Sequence, residues 1–262
     1  MNGAPGPVLA GTVDLPGDAR ELSPDEFRAS GVPVALFAHC FTCHRKVPAA
    51  FRISKTLARA GIACLRFDFP GLGGSGGDFA ATTFSSNVAD LRAAAAWLEE
   101  CLAAPTLLVG HSLGGAVALR AAQHLPGLRA VATVGAPFRP ASAARSLQDS
   151  CADIGPGEIR TVHLAERDIP VSHAFLSDLA DVSDPTTVAA DIAAVRPPLL
   201  VLHSPADQTV PVTDAARILG AASWPKSLTS LPDADHLLTW RGSAQRAGEL
   251  IAAWAEPHIR HV

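Results

Sequence analysis

The residue with the clearest capacity for chemistry is Ser112, which lies in the stretch Gly-His-Ser-Leu-Gly over residues 110–114. An apolar run at 106–109 precedes this stretch, and an alanine-rich helical pattern follows it. A serine on so tight a turn between a strand and a helix has a strained backbone, and only small residues two places before and after it avoid a clash. Glycine occupies both places. The pattern therefore predicts a nucleophilic serine at the end of a strand.

A nucleophilic serine needs a base and an acid that orients the base, and two later loops offer them. Asp207 follows one predicted apolar strand, and His236 follows the next predicted strand. The order serine, acid, histidine is the one expected when the serine lies on such a turn. We expect Asp207 to fix the imidazole tautomer of His236, which would take the proton of Ser112. Asp233 and Asp235, close to the histidine, are the alternative acids.

Two backbone N–H groups occupy places in the chain from which they could stabilise the negative charge of a tetrahedral intermediate. The first belongs to Leu113, at the start of the helix that follows the serine. The second belongs to Phe41, in the loop after a predicted strand at 32–38. Such donors act through the backbone, so position in the chain is the evidence for them. We predict that Phe41 and Leu113 form an oxyanion hole.

These residues need a scaffold that brings several loops together, and the rest of the sequence predicts one. Short apolar runs alternate with helical stretches, which is typical of a mostly parallel sheet flanked by helices. One α/β domain over residues 1–262 is expected. The predicted strands are 32–38, 62–67, 106–109, 128–134, 199–203 and 226–231, and the predicted helices are 47–60, 87–102, 114–124, 212–221 and 243–255.

Residues 136–195 interrupt this alternation with Pro, Ser, Asp and short apolar pieces. Ligands of α/β folds bind outside the carboxyl ends of the strands, so an insertion at that edge is expected to cover the site. We predict a small lid over 136–195, before the strand that carries the acid. Its apolar pieces, such as 174–176, favour a small or medium apolar acyl group over a charged one.

Composition and charge exclude several classes of function. The chain has 262 residues and a formal net charge of -4, so no basic surface for nucleic acid or an anionic membrane is expected. Its apolar runs are far shorter than the roughly 20 residues of a membrane helix. The amino terminus has neither a basic leader nor an apolar run, which predicts no secretory signal. A cytoplasmic protein without a membrane span is expected, and its oligomeric state stays open.

The cysteines form an odd set, which favours a reducing compartment over a disulfide scaffold. The stretch Cys-Phe-Thr-Cys-His over 40–44 matches the pattern of haem attachment and, with His39, resembles a metal cluster. Without an export signal or a second pair of ligands, we predict no metal, no cofactor, and packing near the oxyanion loop. A thiol-based redox role for Cys40 and Cys43 is an alternative. The five cysteines are Cys40, Cys43, Cys64, Cys101 and Cys151.

Several stretches also carry a resemblance to a known superfamily. They are His-Cys-Phe over 39–41, Asp-Phe-Pro-Gly-Leu-Gly-Gly-Ser over 68–75, the serine stretch, and the loops of Asp207 and His236. Over nearly its whole length the chain resembles the α/β-hydrolase superfamily, which implies that fold and a hydrolase activity. More closely, residues 37–43, 65–73 and 87–91 look like the hydrolase module found fused to OsmC-like domains. The OsmC-like part itself is expected to be absent.

Together these features predict hydrolysis of a carboxylic ester, thioester or amide through an acyl-enzyme on Ser112. A small acyl substrate and water would be the reactants. A fold alone does not determine a function, so a non-catalytic binding module on the same fold is a second hypothesis. The presence of serine, aspartate and histidine in the required order argues against that hypothesis, because a binding module needs none of them.

Overall fold

A seven-stranded sheet carries the loops of interest in this computed structural model, which describes residues 6–151, 153–164 and 167–260. The strands are β1 (Gly11–Asp14), β2 (Val34–Ala38), β3 (Ala63–Phe67), β4 (Leu107–His111), β5 (Ala130–Val134), β6 (Ile159–Leu164), β7 (Arg167–Ser172), β8 (Leu199–His203) and β9 (Lys226–Ser230). The sheet has the order β1-β3-β2-β4-β5-β8-β9, and β6 pairs with β7 in a separate hairpin.

The sheet is parallel except for β1, which runs antiparallel to β3 at the edge. Strands β2 and β4 are in register from Ala35 with Leu107 to Ala38 with Gly110. Because β2, β3, β4, β5, β8 and β9 run the same way, the loops after β2, β4, β8 and β9 all leave from one edge of the sheet. The predicted α/β fold with a mostly parallel sheet is confirmed.

Helices cover both faces of the sheet, which explains why central strands such as β2, β4 and β8 are continuous apolar runs. The helices are α1 (Pro24–Ser30), α2 (Pro48–Arg59), α3 (Phe84–Cys101), α4 (Leu113–Ala122), α5 (Arg145–Ser150), α6 (His173–Asp181), α7 (Pro185–Ala193), α8 (Val212–Ala221) and α9 (Ser243–Ile259). Along β4, the fully buried Leu107 and Val109 face α2 and α9, whereas Leu108 faces α3 and α4. This alternation sandwiches the central strand between two hydrophobic cores.

The predicted strands and helices of the sheet core are confirmed within a few residues, whereas β1 and α1 were not predicted. Strand β1 is a short, partly exposed edge strand with little apolar signal. Helix α1 did carry a recognisable start: Ser23 and Glu26 form a capping box, and Pro24 occupies the first turn. A start signal for α1 is therefore present in the sequence.

Residues 136–195 fold into short elements between β5 and β8 rather than one regular unit. They comprise a 3-10 helix at Pro140–Ala144, α5, the β6–β7 hairpin, α6 and α7. Residues 152, 165 and 166 of the predicted lid lie outside the described residues, as do residues 1–5, on which the expectation of no secretory signal rests in part. Over the described ranges, none of the helices is long and apolar enough to cross a membrane.

Candidate active site

Ser112 occupies a strained turn between β4 and α4, as the glycine spacing predicted. Its backbone has φ 54° and ψ -126°, a region that residues other than glycine rarely adopt. The N–H of Ser112 donates to the carbonyl of Val134 at 2.9 Å, which anchors the turn to β5. The side chain thus lies at the edge where the parallel strands end.

The glycines on either side of the serine allow two close backbone approaches. A Cβ atom at Gly110 would lie 2.4 Å from the carbonyl oxygen of Gly114. A Cβ atom at Gly114 would lie 2.3 Å from the carbonyl oxygen of His39. Both distances are shorter than any side chain tolerates, so glycine is required at each place. The second approach also presses the serine turn against the loop that follows β2.

Ser112, His236 and Asp207 form one hydrogen-bonded chain. The Nε2 atom of His236 lies 2.8 Å from Ser112 Oγ, and its Nδ1 atom lies 2.7 Å from Asp207 Oδ2. Because a carboxylate only accepts, Nδ1 donates to Asp207, and Nε2 is left to accept from the serine hydroxyl. Ser112 and Asp207 are buried, and His236 is half-buried. The arrangement can remove the serine proton and stabilise the resulting imidazolium.

The Asp207 carboxylate is held in its ionised form. Burial raises the pKa of Asp207, but the hydrogen bond from His236 and the backbone N–H groups of Val210 and Thr209 outweigh burial, so the pKa lies below its usual value. Both N–H groups donate to Oδ1 at 2.8 Å, which leaves Oδ2 for the histidine. His203 steadies the same loop, with its Nε2 2.9 Å from the Val210 carbonyl.

The two alternative acids of the sequence lie elsewhere. Asp235 accepts the backbone N–H of Thr239 at 2.6 Å and that of Trp240 at 3.2 Å, so its carboxylate caps a local turn. Asp233 is exposed. Of the three candidate aspartates, Asp207 is the one that contacts the ring of His236.

The two backbone amides expected to form an oxyanion hole lie on loops that touch each other. Leu113 is the first residue of α4, where N–H groups have no partner within the helix, and Phe41 lies in the loop after β2. Among the described residues, neither N–H group has a hydrogen-bond partner. The close approach of Gly114 to the His39 carbonyl joins the two loops. The two N–H groups are therefore unpaired donors on adjoining segments of the described chain.

His39 shapes the loop after β2 from within the core. Burial lowers the pKa of His39 to about 4, so the ring is neutral. The N–H of Phe69 donates to its Nε2 at 3.3 Å, which leaves Nδ1, 2.8 Å from the Cys40 carbonyl, as the donor. These two contacts fix the residue that directly precedes Phe41.

His111 has a structural connection to His236 that the sequence did not indicate. Its Nε2 atom lies 2.8 Å from the backbone carbonyl of His236, and the two rings lie 5.6 Å apart. Burial lowers the pKa of His111 to about 4, so the neutral ring must donate this hydrogen bond. The contact ties the serine turn to the histidine loop, 125 residues away. No local sequence signal could have revealed it.

A disulfide joins Cys40 to Cys43, which corrects the expectation of a chain without disulfides. Their Cα atoms are 5.4 Å apart, a separation that a disulfide requires. The tight turn between them produces this approach, whereas the count of cysteines contains no information about it. The sulfurs are not thiolates in this form, so the haem-like and metal-like readings of 40–44 do not fit it. Three cysteines are free: Cys64, Cys101 and Cys151.

An aromatic cluster connects the loop after β2 to the inserted segment. The ring of Phe41 stacks on that of Phe175 in α6, with centroids 5.2 Å apart. Phe41 also lies 5.6 Å from Phe79, and Phe79 lies 6.2 Å from Phe175. The predicted lid thus packs, through the buried Phe175, against the residue that carries one of the two candidate amides.

Comparisons with known proteins match the chain to a family and to several solved structures. The alpha/beta hydrolase family matches residues 35–253 of the chain. The esterase domain of a Rhodothermus marinus protein is 38% identical, with 96% of this chain and 93% of that chain covered and a TM-score of 0.73. No curated protein matches the chain in sequence.

Two more distant solved structures share the fold. A monoacylglycerol lipase from Paleococcus ferrophilus is 18% identical, with 95% of this chain and 99% of that chain covered and a TM-score of 0.71. Est1E from Butyrivibrio proteoclasticus, solved with ferulic acid bound, is 19% identical, with 97% and 96% covered and a TM-score of 0.73.

Proposed function

The chain belongs to the alpha/beta hydrolase family, and we propose that it is a serine esterase that acts through an acyl-enzyme on Ser112. The observation that carries this proposal is the unbroken hydrogen-bonded chain from Asp207 through His236 to Ser112 Oγ. The strained serine turn supports it, because such strain persists where the surrounding structure holds a functional residue in place. The esterase domain at 38% identity supports the choice of an ester over other acyl compounds.

In the first step, Ser112 Oγ attacks the carbonyl carbon of the ester while His236 Nε2 takes the serine proton. Asp207 stabilises the imidazolium that forms, because its carboxylate stays ionised. The carbonyl oxygen becomes an oxyanion, which receives hydrogen bonds from the N–H groups of Leu113 and Phe41. The positive end of α4 favours the same negative charge.

In the second step, the bond from carbon to the leaving oxygen breaks, and the leaving alcohol takes the proton held by His236. The acyl group stays on Ser112 Oγ. His236 then removes a proton from water, which attacks the acyl carbon and releases the carboxylic acid. Regeneration of the Ser112 hydroxyl completes the cycle, and the reaction needs no cofactor.

The acyl group that this site favours is small or medium and apolar. The partly exposed Phe41 packs on the buried Phe79 and Phe175 and presents an apolar edge beside one proposed oxyanion donor. Contact with apolar atoms of a substrate lowers the free energy of such a surface, whereas burial of a charged group against it is unfavourable. Residues 136–195, which supply Phe175, act as the lid over the site of Ser112. Thioesters and amides are further candidate substrates of the same mechanism.

The chain is also proposed to be the kind of hydrolase module found fused to OsmC-like domains, and to act in the cytoplasm. The likeness of residues 37–43, 65–73 and 87–91 supports the first point. The Rhodothermus marinus relative is itself described as a domain of a protein, which agrees with a module that occurs in longer chains.

Labelling with a fluorophosphonate tests the nucleophile. The wild-type protein should be labelled, and Ser112→Ala should not, with both proteins folded by circular dichroism. In parallel, p-nitrophenyl esters of increasing acyl length should be hydrolysed fastest at short to medium length. A folded wild-type protein that is neither labelled nor active would refute the esterase and favour a binding module.

A further inference from the structure

The Cys40–Cys43 disulfide encloses the proposed oxyanion donor. The covalent ring spans four residues, and Phe41 and Thr42 are the two between the cysteines. Within it, the N–H of Cys43 donates to the carbonyl of Cys40 at 3.2 Å. Thr42 has φ 58°, a left-handed conformation that is unfavourable for a residue whose Cβ is branched. The disulfide therefore helps hold a turn that the backbone alone disfavours.

The chain on each side of this ring is anchored independently of the sulfurs. Upstream, His39 holds the Cys40 carbonyl. Downstream, the N–H of Arg45 donates to the buried carboxylate of Asp68, and the Arg45 guanidinium pairs with the same carboxylate. Opening the disulfide would leave these anchors in place. The segment that the sulfur bond itself closes is the turn that carries the Phe41 amide.

The two sulfurs differ in their access to solvent. Cys40 is 3% exposed, whereas Cys43 is partly exposed, so an attacking thiolate reaches Cys43 first. Of the free cysteines, Cys64 is fully buried, and burial raises its pKa to about 12, which keeps it a thiol. A dithiol reduces disulfide bonds and leaves free thiols unchanged, so its reaction would take place in the loop after β2.

We propose that Cys40–Cys43 is a site of reversible thiol–disulfide exchange with a dithiol reductant, and that its reduction slows turnover by loosening the Phe41 amide. The effect on turnover rests on the proposed esterase function, whereas the exchange itself does not. Loosening one oxyanion donor acts on the transition state, so kcat should fall while KM changes little.

The exchange is balanced in electrons and protons. One thiolate of the dithiol attacks Cys43 Sγ, the bond to Cys40 Sγ breaks, and Cys40 leaves as a thiolate that takes a proton. The second thiol of the reductant then displaces Cys43 as a thiol and closes the disulfide of the reductant. Two electrons and two protons pass to the protein, and a small-molecule disulfide reverses the reaction.

The chemical part of the proposal is tested without any substrate. The protein is alkylated before and after treatment with dithiothreitol, and the modified peptides are identified by mass spectrometry. Labels at Cys40 and Cys43 should appear only after reduction. Amide hydrogen exchange should then become faster in residues 40–43 and stay unchanged in α9. Free thiols at both positions before reduction, or unchanged exchange in the loop, would overturn the inference.

The functional part is tested on protein that hydrolyses a p-nitrophenyl ester. Reduction should lower kcat about tenfold, less than the ~100-fold loss expected when an oxyanion donor is removed entirely. Oxidised glutathione should restore the rate. Cys40→Ser with Cys43→Ser should show the low rate and no response to dithiothreitol, and Cys101→Ser, outside the loop, should respond like the wild type.

The two proposals fail in different ways. If the oxidised protein is inactive and is not labelled by fluorophosphonate, the esterase proposal fails. Alkylation and hydrogen exchange then still test whether Cys40–Cys43 undergoes thiol–disulfide exchange. If the oxidised protein is active and its kcat is unchanged after both cysteines are reduced, the regulatory inference fails alone. Circular dichroism of the reduced wild type excludes unfolding as the cause of a lower rate.

Discussion

Acid should destabilise this fold through His111, which is buried beside the proposed base. Burial lowers the pKa of His111 from 6.5 to about 4. The folded state therefore excludes a proton that the unfolded state binds below pH ~6.5. The stability that neutral His111 provides is fully present above the unfolded pKa and is lost as the pH falls toward the folded pKa.

The size of this effect follows from the two pKa values of His111. The complete shift corresponds to a loss of about 3 kcal/mol in the free energy of unfolding, and about 2 kcal/mol of that is already lost at about pH 5. His39 contributes in the same direction, because burial also lowers its pKa to about 4. Asp90 acts in the opposite direction, since burial raises its pKa to about 6, and its partial exposure reduces that contribution.

The matched variant is His111→Gln, because the glutamine amide can donate to the His236 carbonyl without titrating. Urea unfolding at about pH 8 and about pH 5, followed by tryptophan fluorescence, gives the free energy of unfolding of both proteins. The wild type should lose about 2 kcal/mol more than the variant between these conditions. His39 and Asp90 are common to both proteins and cancel. An equal loss in the two proteins would refute the reasoning.

Three further substitutions have expected outcomes. Asp207→Asn should lower kcat about 10⁴-fold in ester hydrolysis with little change in Tm, because the amide favours the wrong histidine tautomer; normal turnover would rule Asp207 out as the acid. Gly114→Ala should lower the free energy of unfolding by about 3 kcal/mol, since its Cβ would lie 2.3 Å from the His39 carbonyl; urea unfolding identical to the wild type would contradict this clash. Asp14→Ala should lower the free energy of unfolding by about 3 kcal/mol in the same assay, because the buried Arg66, whose Nε lies 2.8 Å from Asp14 Oδ2, then loses its carboxylate partner. A loss below about 1 kcal/mol, the value of an exposed ion pair, would contradict this reasoning.

The sequence predicted the sheet core better than the segment at 136–195. Strands such as β4 and β8 are buried on both faces, so burial alone selects a continuous apolar run that is easy to recognise. The β6–β7 hairpin mixes exposed and buried positions and contains Pro170, so it presents no such run. Its pairing depends on contacts with the rest of the fold rather than on its own periodicity.

The sequence named the three side chains that the structure brings into one hydrogen-bonded chain, with Asp233 and Asp235 as alternatives to Asp207. Asp235 is adjacent to His236 in the chain, yet its carboxylate caps the turn that contains Thr239. Asp207 is 29 residues away and reaches the ring because β8 and β9 are parallel neighbours. Proximity in sequence was therefore a poor guide, and the order of the strands decided the choice.

What the sequence determined by itself is local. The requirement for glycine at Gly110 follows from the backbone of the serine turn itself, and the apolar runs follow from burial of single strands. Only the tertiary structure decided the contact of His111 with the His236 carbonyl, the Cys40–Cys43 bond and the stacking of Phe41 on the inserted helix. The first and the last of these join segments far apart in the chain, and the second depends on one turn being held by its neighbours. The two long-range contacts form only when the sheet order brings the loops to the same edge, and no pattern of neighbouring residues encodes that order.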